Sequence, residues 1–357
     1  MKTSKLIRRR VGLGGAFACM LAAAVSGTAP AQVTTVDVNN AANWTTGTGA
    51  GANSSVTYGF DYSTVGIPQA PGSSNTLAMV LRSNTNTSVS AAQGITVSPN
   101  GVNLTGDYIV RAMIWGNTIG GWTTGAALSA STGATQFVGL GVGYTGGTLW
   151  RAGATTGGGS GVWFSSAIEG GFGGASATLR DYSAFTGSGA VAGNFVTATT
   201  AYFANASGTI PQDNNNPYYQ TAFPGQVVNT INGGAWATIQ NQTALTGTTT
   251  NGVPGMAWRE YTIARTGSTV TWSISGTPIA TLSGTGLTLD GATSLTYFDA
   301  TAGVATSPNL VFGLVSSYSV EVVPEPSSIA LTVVGISGAG VVAHRRRRRR
   351  QVSAARG

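Results

Sequence analysis

Between Gln32 and Val323 the apolar residues fall in short runs that alternate with Thr, Ser and Asn, and glycine-rich stretches separate the runs. A period of two broken by frequent turn residues marks strands half-buried in a sheet, whereas a helix would repeat its apolar positions every third or fourth residue. The pattern predicts strands at Val33 to Val38, Leu77 to Arg82, Asp107 to Trp115, Gln136 to Tyr144, Val162 to Ser165, Trp258 to Arg265, Thr269 to Ser275 and Leu310 to Ser316. No stretch here carries a convincing amphipathic helical repeat. The expectation is an all-β domain, and a region of this length can bury the core of one large sandwich without disulfides.

The sharpest patch is Trp258 to Leu282. Tyr261 and Ile263 share one strand face; after Thr266-Gly267-Ser268, Val270, Trp272 and Ile274 share the next; Gly276 then permits a tight turn into a return strand at Ile279. This run of tryptophan, strand, turn, strand, glycine and short return strand resembles the laminin-G and concanavalin-A-like jelly rolls, which implies a jelly-roll sandwich for the domain. Arg259 stands where such sequences often carry His, and Ser275 where Asp is common. The departures spare the strand geometry but carry over no ligand role. Leu104 to Tyr108, Gly161 to Phe164, Tyr297-Phe298-Asp299 and Leu310 to Leu314 fit the same group of exported sandwich proteins.

The alternation stops at both ends. Met1 to Ala31 has a cationic start, an apolar stretch from Val11 to Val25 and the small-x-small sequence Ala29-Pro30-Ala31, the parts of a cleaved secretory signal. Arg8 to Arg10 invite a twin-arginine reading, but Val11-Gly12-Leu13 fill the following positions weakly, so the general secretory route is expected. Cys19 lies inside the apolar stretch and reads as an ordinary signal-core residue. At the other end, Pro324-Glu325-Pro326 precedes an apolar run from Ile329 to Ala343 and then Arg345 to Arg350. As a helix that run would be about 22 Å long, short of a hydrocarbon core of roughly 30 Å, and the arginines would stay cytoplasmic.

In order and spacing these residues resemble the PEP-CTERM sorting domain. The resemblance implies recognition at Pro324, Glu325 and Pro326 by an exosortase-type membrane enzyme, a transient inner-membrane anchor, and then release or attachment at the cell surface. The chain divides into a signal (1–31), a β-sandwich (32–322), a sorting and membrane segment (323–350) and a polar tail (351–357).

Charge changes the picture less than its total suggests. The chain carries a formal +7, but between Gln32 and Val323 six arginines face ten acids, leaving −4, and there is no lysine. A phosphate-neutralising face needs clustered cations, so nucleic acid is not an expected partner. Cys19 and His344 are the only residues of their kinds and both lie outside the domain. The domain therefore cannot build a Ser-His-Asp triad, a Cys-His pair, a histidine zinc site or a disulfide.

Oxygen and aromatic chemistry remain. Gly141 to Gly146 fits G-x-G-x-x-G but continues a strand into a turn, without the helix a dinucleotide site requires. A glycosidase pair would have to come from scattered acids such as Glu169, Asp181, Glu260 and Asp299, since no two interior acids lie within five positions of each other. Calcium requires only oxygen ligands, which the Asp213 to Asn216 loop or Asp299 could supply, each offering a single carboxylate. Trp122, Tyr218 and Tyr219, in loop-like sequence, are the candidate glycan-facing aromatics. The leading expectation is an exported, non-enzymatic surface or extracellular-matrix protein without a catalytic residue. The alternative is a lectin-like module of concanavalin-A-like fold whose partner is extracellular polysaccharide.

Overall fold

A computed structural model describes residues 31–47, 54–83, 93–118, 136–144, 161–170, 181–186, 202–203, 213–226, 249–284, 286–299 and 311–323. The compact unit Gln32–Val322 holds the fold. Its strands are β1 (Gln32–Thr35), β2 (Trp44–Thr46), β3 (Ser55–Asp61), β4 (Leu77–Arg82), β5 (Gln93–Pro99), β6 (Asp107–Asn117), β7 (Gln136–Tyr144) and β8 (Val162–Ala167). They continue with β9 (Tyr182–Thr186), β10 (Tyr202–Phe203), β11 (Trp258–Thr266), β12 (Thr269–Ile274), β13 (Thr277–Ser283), β14 (Ala292–Asp299) and β15 (Phe312–Val323). Among the described residues one short α-helix, α1 (Pro217–Ala222), and two 3-10 turns, Ala41–Asn43 and Tyr62–Val65, interrupt them.

The strands form two antiparallel sheets. The larger runs β10-β13-β12-β11-β6-β15-β4-β3 with β1 added on β15; the smaller runs β2-β5-β14-β7-β8-β9. Their facing surfaces supply one apolar core, in which Val110, Ala112, Ile263, Val270 and Trp272 of the larger sheet meet Val138, Leu140, Phe164, Leu295 and Tyr297 of the smaller. Phe164 stacks on Trp272 at 5.4 Å between ring centroids, and Ser166 Oγ and Tyr261 Oη share a hydrogen bond of 2.8 Å across the layers. A second cluster lies on the outer face of the larger sheet, where Tyr62, Ile67 and Met256 cover Ala78, Val80, Trp115, Phe312 and Leu314.

The predicted bounds of β4 and β7 match the structure, and β11 and β12 differ by one residue. The hairpin joining β12 to β13 pairs Ile274 with Thr277 across Ser275-Gly276, both with positive φ (49° and 77°). That is the two-residue turn whose twist suits a hairpin. β15 extends to Val323 because alternation resumes at Tyr318 and Val320 after Ser316-Ser317, a polar pair that hides the strand from an apolar count. β1 stops at Thr35 because the chain turns at Asp37, whose Oδ1 accepts from the Asn39 amide at 2.9 Å. β2, β3, β5, β9, β10, β14 and α1 are not among the predicted elements. The polar and glycine content of runs such as Ser55–Asp61 masks their period, and pairing with neighbours stabilises them.

The signal segment before Ala31, the Pro324-Glu325-Pro326 motif, the apolar run 329–343 and the arginine block lie outside the described residues. Among the described residues no helix is long and apolar enough to cross a membrane.

Candidate functional site: a polar layer between the sheets

Inward-facing positions on four strands change character at one end of the sandwich. Along β4 the inward residues Met79 and Leu81 are followed by Ser83; along β6, Ile114 is followed by Gly116 and Thr118. Along β7, read backwards, Leu140 and Val138 lead to Gln136; along β14, Leu295 and Tyr297 lead to Asp299. Gln136 and Asp299 are direct partners across the β7–β14 ladder. The four polar residues stay buried: Ser83 is 2% exposed and Thr118, Gln136 and Asp299 are each 1% exposed.

Glu169, just past β8, joins this layer. Thr118 Oγ1 donates to Glu169 Oε2 at 2.9 Å, and the Ile168 amide donates to the Gln136 carbonyl at 2.9 Å, which fixes the approach of the segment. Glu169 is half-buried as a residue, yet burial around its carboxyl pushes the pKa up to about 8. The hydrogen bond from Thr118 opposes the shift, the negative charge of Asp299 adds to it, and a backbone hydrogen bond from Gln136 opposes it again. Near neutral pH Glu169 holds its proton. Burial, followed by the charges of Asp299 and Glu169, also drives the Tyr297 hydroxyl well above its ordinary range, while Arg82 works against that rise.

Several polar atoms in the layer have no hydrogen-bond partner: both amide atoms of Gln136, Ser83 Oγ and Tyr297 Oη. An unsatisfied buried group costs about 1–3 kcal/mol, and Gln136 stands out by leaving both its amide atoms unpaired. Of the four acids the sequence offered for a carboxylate pair, the fold brings Glu169 and Asp299 into electrostatic contact. Asp181 is spent elsewhere, accepting from the Asn214 amide at 3.0 Å, and Glu260 lies next to Met113 in the β11–β6 ladder. A glycosidase must admit a sugar between its carboxylates. Asp299 and Gln136, each 1% exposed, are not open to a sugar from solvent.

The other predicted positions resolve differently. Tyr219 is fully buried and stacks on Tyr182 with ring centroids 4.0 Å apart, so it faces the core and presents no surface to a glycan. One side of α1 packs on the sandwich and takes Tyr219 with it. Tyr218, on the same helix, stays part-exposed, its hydroxyl donating to the Pro278 carbonyl at 2.9 Å. Trp122 lies outside the described residues.

Asp213 Oδ1 accepts from the amide and side chain of Asn215 at 2.8 and 2.9 Å, and Asn216 Oδ1 caps α1 by accepting from the Tyr218 amide at 2.9 Å. The Asn-rich loop thus performs turn and cap chemistry. No group of three or more His, Cys, Asp or Glu that could hold a metal occurs among the described residues. Of the G-x-G-x-x-G glycines, Gly141 and Gly143 lie in strand β7 and Gly146 lies outside the described residues. Gln136, Ser83 and Thr118 escape sequence reasoning because none is unusual by itself. Their signal is that the apolar alternation of separate strands ends in a polar residue.

No protein-family model matches the sequence, and no curated protein matches it. Among solved structures the chain is similar to a Bacillus subtilis protein of unknown function with a galectin-like fold, at TM-score 0.41 and 9% identity over 84% of this chain and 99% of that one. It is similar to the exoplasmic/lumenal domain of VIP36 in its Ca2+/Man-bound form, at TM-score 0.39 and 8% identity over 81% of this chain and 88% of that one. It is also similar to the metal-free carbohydrate recognition domain of Emp46p, at TM-score 0.37 and 6% identity over 80% of this chain and 94% of that one. These are likenesses alone, and the two-sheet architecture stands on the chain's own strand pairing.

Proposed function

We propose that the chain is an exported surface or extracellular-matrix protein whose sandwich acts by binding and not by turnover, sorted through its C-terminal segment. What supports this reading is where the ladder begins and ends. β1 starts at Gln32, directly behind Ala29-Pro30-Ala31, and β15 ends at Val323, directly before Pro324, with Gln32 opposite Val322 in register. Cleavage on both sides would leave every described strand pairing intact. The sorting step would belong to an exosortase-type membrane enzyme acting at Pro324, Glu325 and Pro326. Mass spectrometry of both ends of the mature protein tests this, together with Pro324→Ala/Pro326→Ala. The doubly substituted protein is expected to accumulate as membrane-held precursor; normal release, or mature ends inside the ladder, would sink the proposal.

A lectin-like reading has one observation in its favour. The part-exposed ring of Tyr218 is held at both ends, by the α1 backbone and by its hydrogen bond to Pro278. A fixed aromatic face is what sugar stacking needs, with extracellular polysaccharide as the partner. Glycan-array binding lost in Tyr218→Ala or Trp122→Ala would establish it, and a folded protein that binds no glycan would leave the matrix role alone.

A further inference from the structure

We propose that the polar layer between the sheets is a binding site for one divalent, oxygen-seeking cation of the calcium class, held by Glu169, Asp299, Gln136, Thr118 and Ser83. The donors come from both sheets and from the segment after β8. All of these side chains offer oxygen, and none offers sulfur or imidazole, which selects a hard cation over a transition metal.

The second observation is independent of the acids. Gln136 is 1% exposed, stands directly opposite Asp299 in the β7–β14 ladder and projects from the same face, yet neither its Oε1 nor its Nε2 has a hydrogen-bond partner. Ser83 Oγ is likewise buried and unpartnered. A cation among these side chains would use the Gln136 and Ser83 oxygens together with the two carboxyls. Magnesium demands near-octahedral geometry and retains several waters, whereas calcium accepts an irregular cage of protein oxygens. Residues 1–2% exposed leave little room for a hydrated ion, so calcium fits better. The site requires neither the sorting tail nor a glycan.

The test is calcium titration of the full chain after chelation, by calorimetry and by thermal unfolding, up to about 10 mM, tenfold beyond the roughly 1 mM weak end of calcium sites in extracellular modules. One ion per chain and a raised unfolding midpoint are expected. Asp299→Asn and Gln136→Ala should each weaken binding by at least about tenfold. Glu321→Gln, which alters the part-buried pair with Arg111 and no residue of the layer, should leave binding unchanged. Absence of saturable binding to the folded protein would mean that the layer holds water alone, and would overturn the proposal. Undiminished binding in both layer variants would overturn it equally. Should both variants lose their folded circular dichroism, Glu169→Gln replaces them, because its amide oxygen can still accept from Thr118; unaltered calcium affinity there counts against the site.

Discussion

Glu169 is the residue whose surroundings most alter its chemistry. Its carboxyl holds a proton to about pH 8 in the folded protein, against an ordinary value of 4.5. A folded-state pKa raised above the unfolded value means that the native chain binds the extra proton, so the stabilisation is complete below the unfolded value and is lost as pH rises through the folded one. Unfolding free energy measured in chelator should therefore fall between about pH 4.5 and pH 8 and level off above. At about 1.4 kcal/mol per pKa unit the loss is at most a few kcal/mol, reduced because the residue is only half-buried. Glu169→Gln stays neutral throughout, so denaturant titrations of this variant should show a flatter pH profile across that window and greater stability than the parent at its upper end. Parallel profiles for the two proteins would show that Glu169 is ionised near neutral pH.

Elements with clean alternation were legible in the sequence, and those whose stability comes from neighbours were not. β7 shows both sides. Its bounds follow from Phe137-Val138 and the later apolar positions, but its flanking roles depend on β8 and β14, which no local pattern supplies. Asp299 could be picked out as a carboxylate, whereas Gln136 opposite it required the ladder register. The glycines of β7 have a packing cause that the same ladder reveals. A Cβ on Gly139 would lie 2.4 Å from Trp163 Cζ2 and 2.7 Å from the Phe164 carbonyl oxygen, so the strand carries glycine to seat the buried Trp163 indole. The contact involves backbone and a packed ring, neither of which can yield cheaply. Gly139→Ala is expected to destabilise by about 1–3 kcal/mol, read from the chemical-denaturation midpoint. A neutral result would mean that Trp163 has room to move and that glycine at this position serves something other than packing.

At the scale of the molecule, the basic character belongs to the ends and the structure to the middle. The full chain is +7 with a calculated pI near 9.8, yet the segment from Gln32 to Val323 carries six arginines and ten acids, leaving the ends with twelve cations and one acid. The β1–β15 ladder runs from Gln32 opposite Val322 to Thr35 opposite Ser319, so the two termini of the sandwich lie side by side and its core needs no residue beyond them. Val33, Val322 and Val323, the large apolar side chains that are exposed among the described residues, sit at this same corner. Net charge governs solubility and nonspecific partners more than it governs fold. A fragment from Gln32 to Val323 should therefore keep the unfolding midpoint of the full protein while reversing its ion-exchange behaviour. The parent should bind a cation exchanger at neutral pH, and the fragment should pass through it and bind an anion exchanger. A fragment that unfolds would show that the end segments contribute to the core, and a folded fragment still retained by the cation exchanger would show a cationic face on the sandwich that the distribution of its six arginines does not suggest.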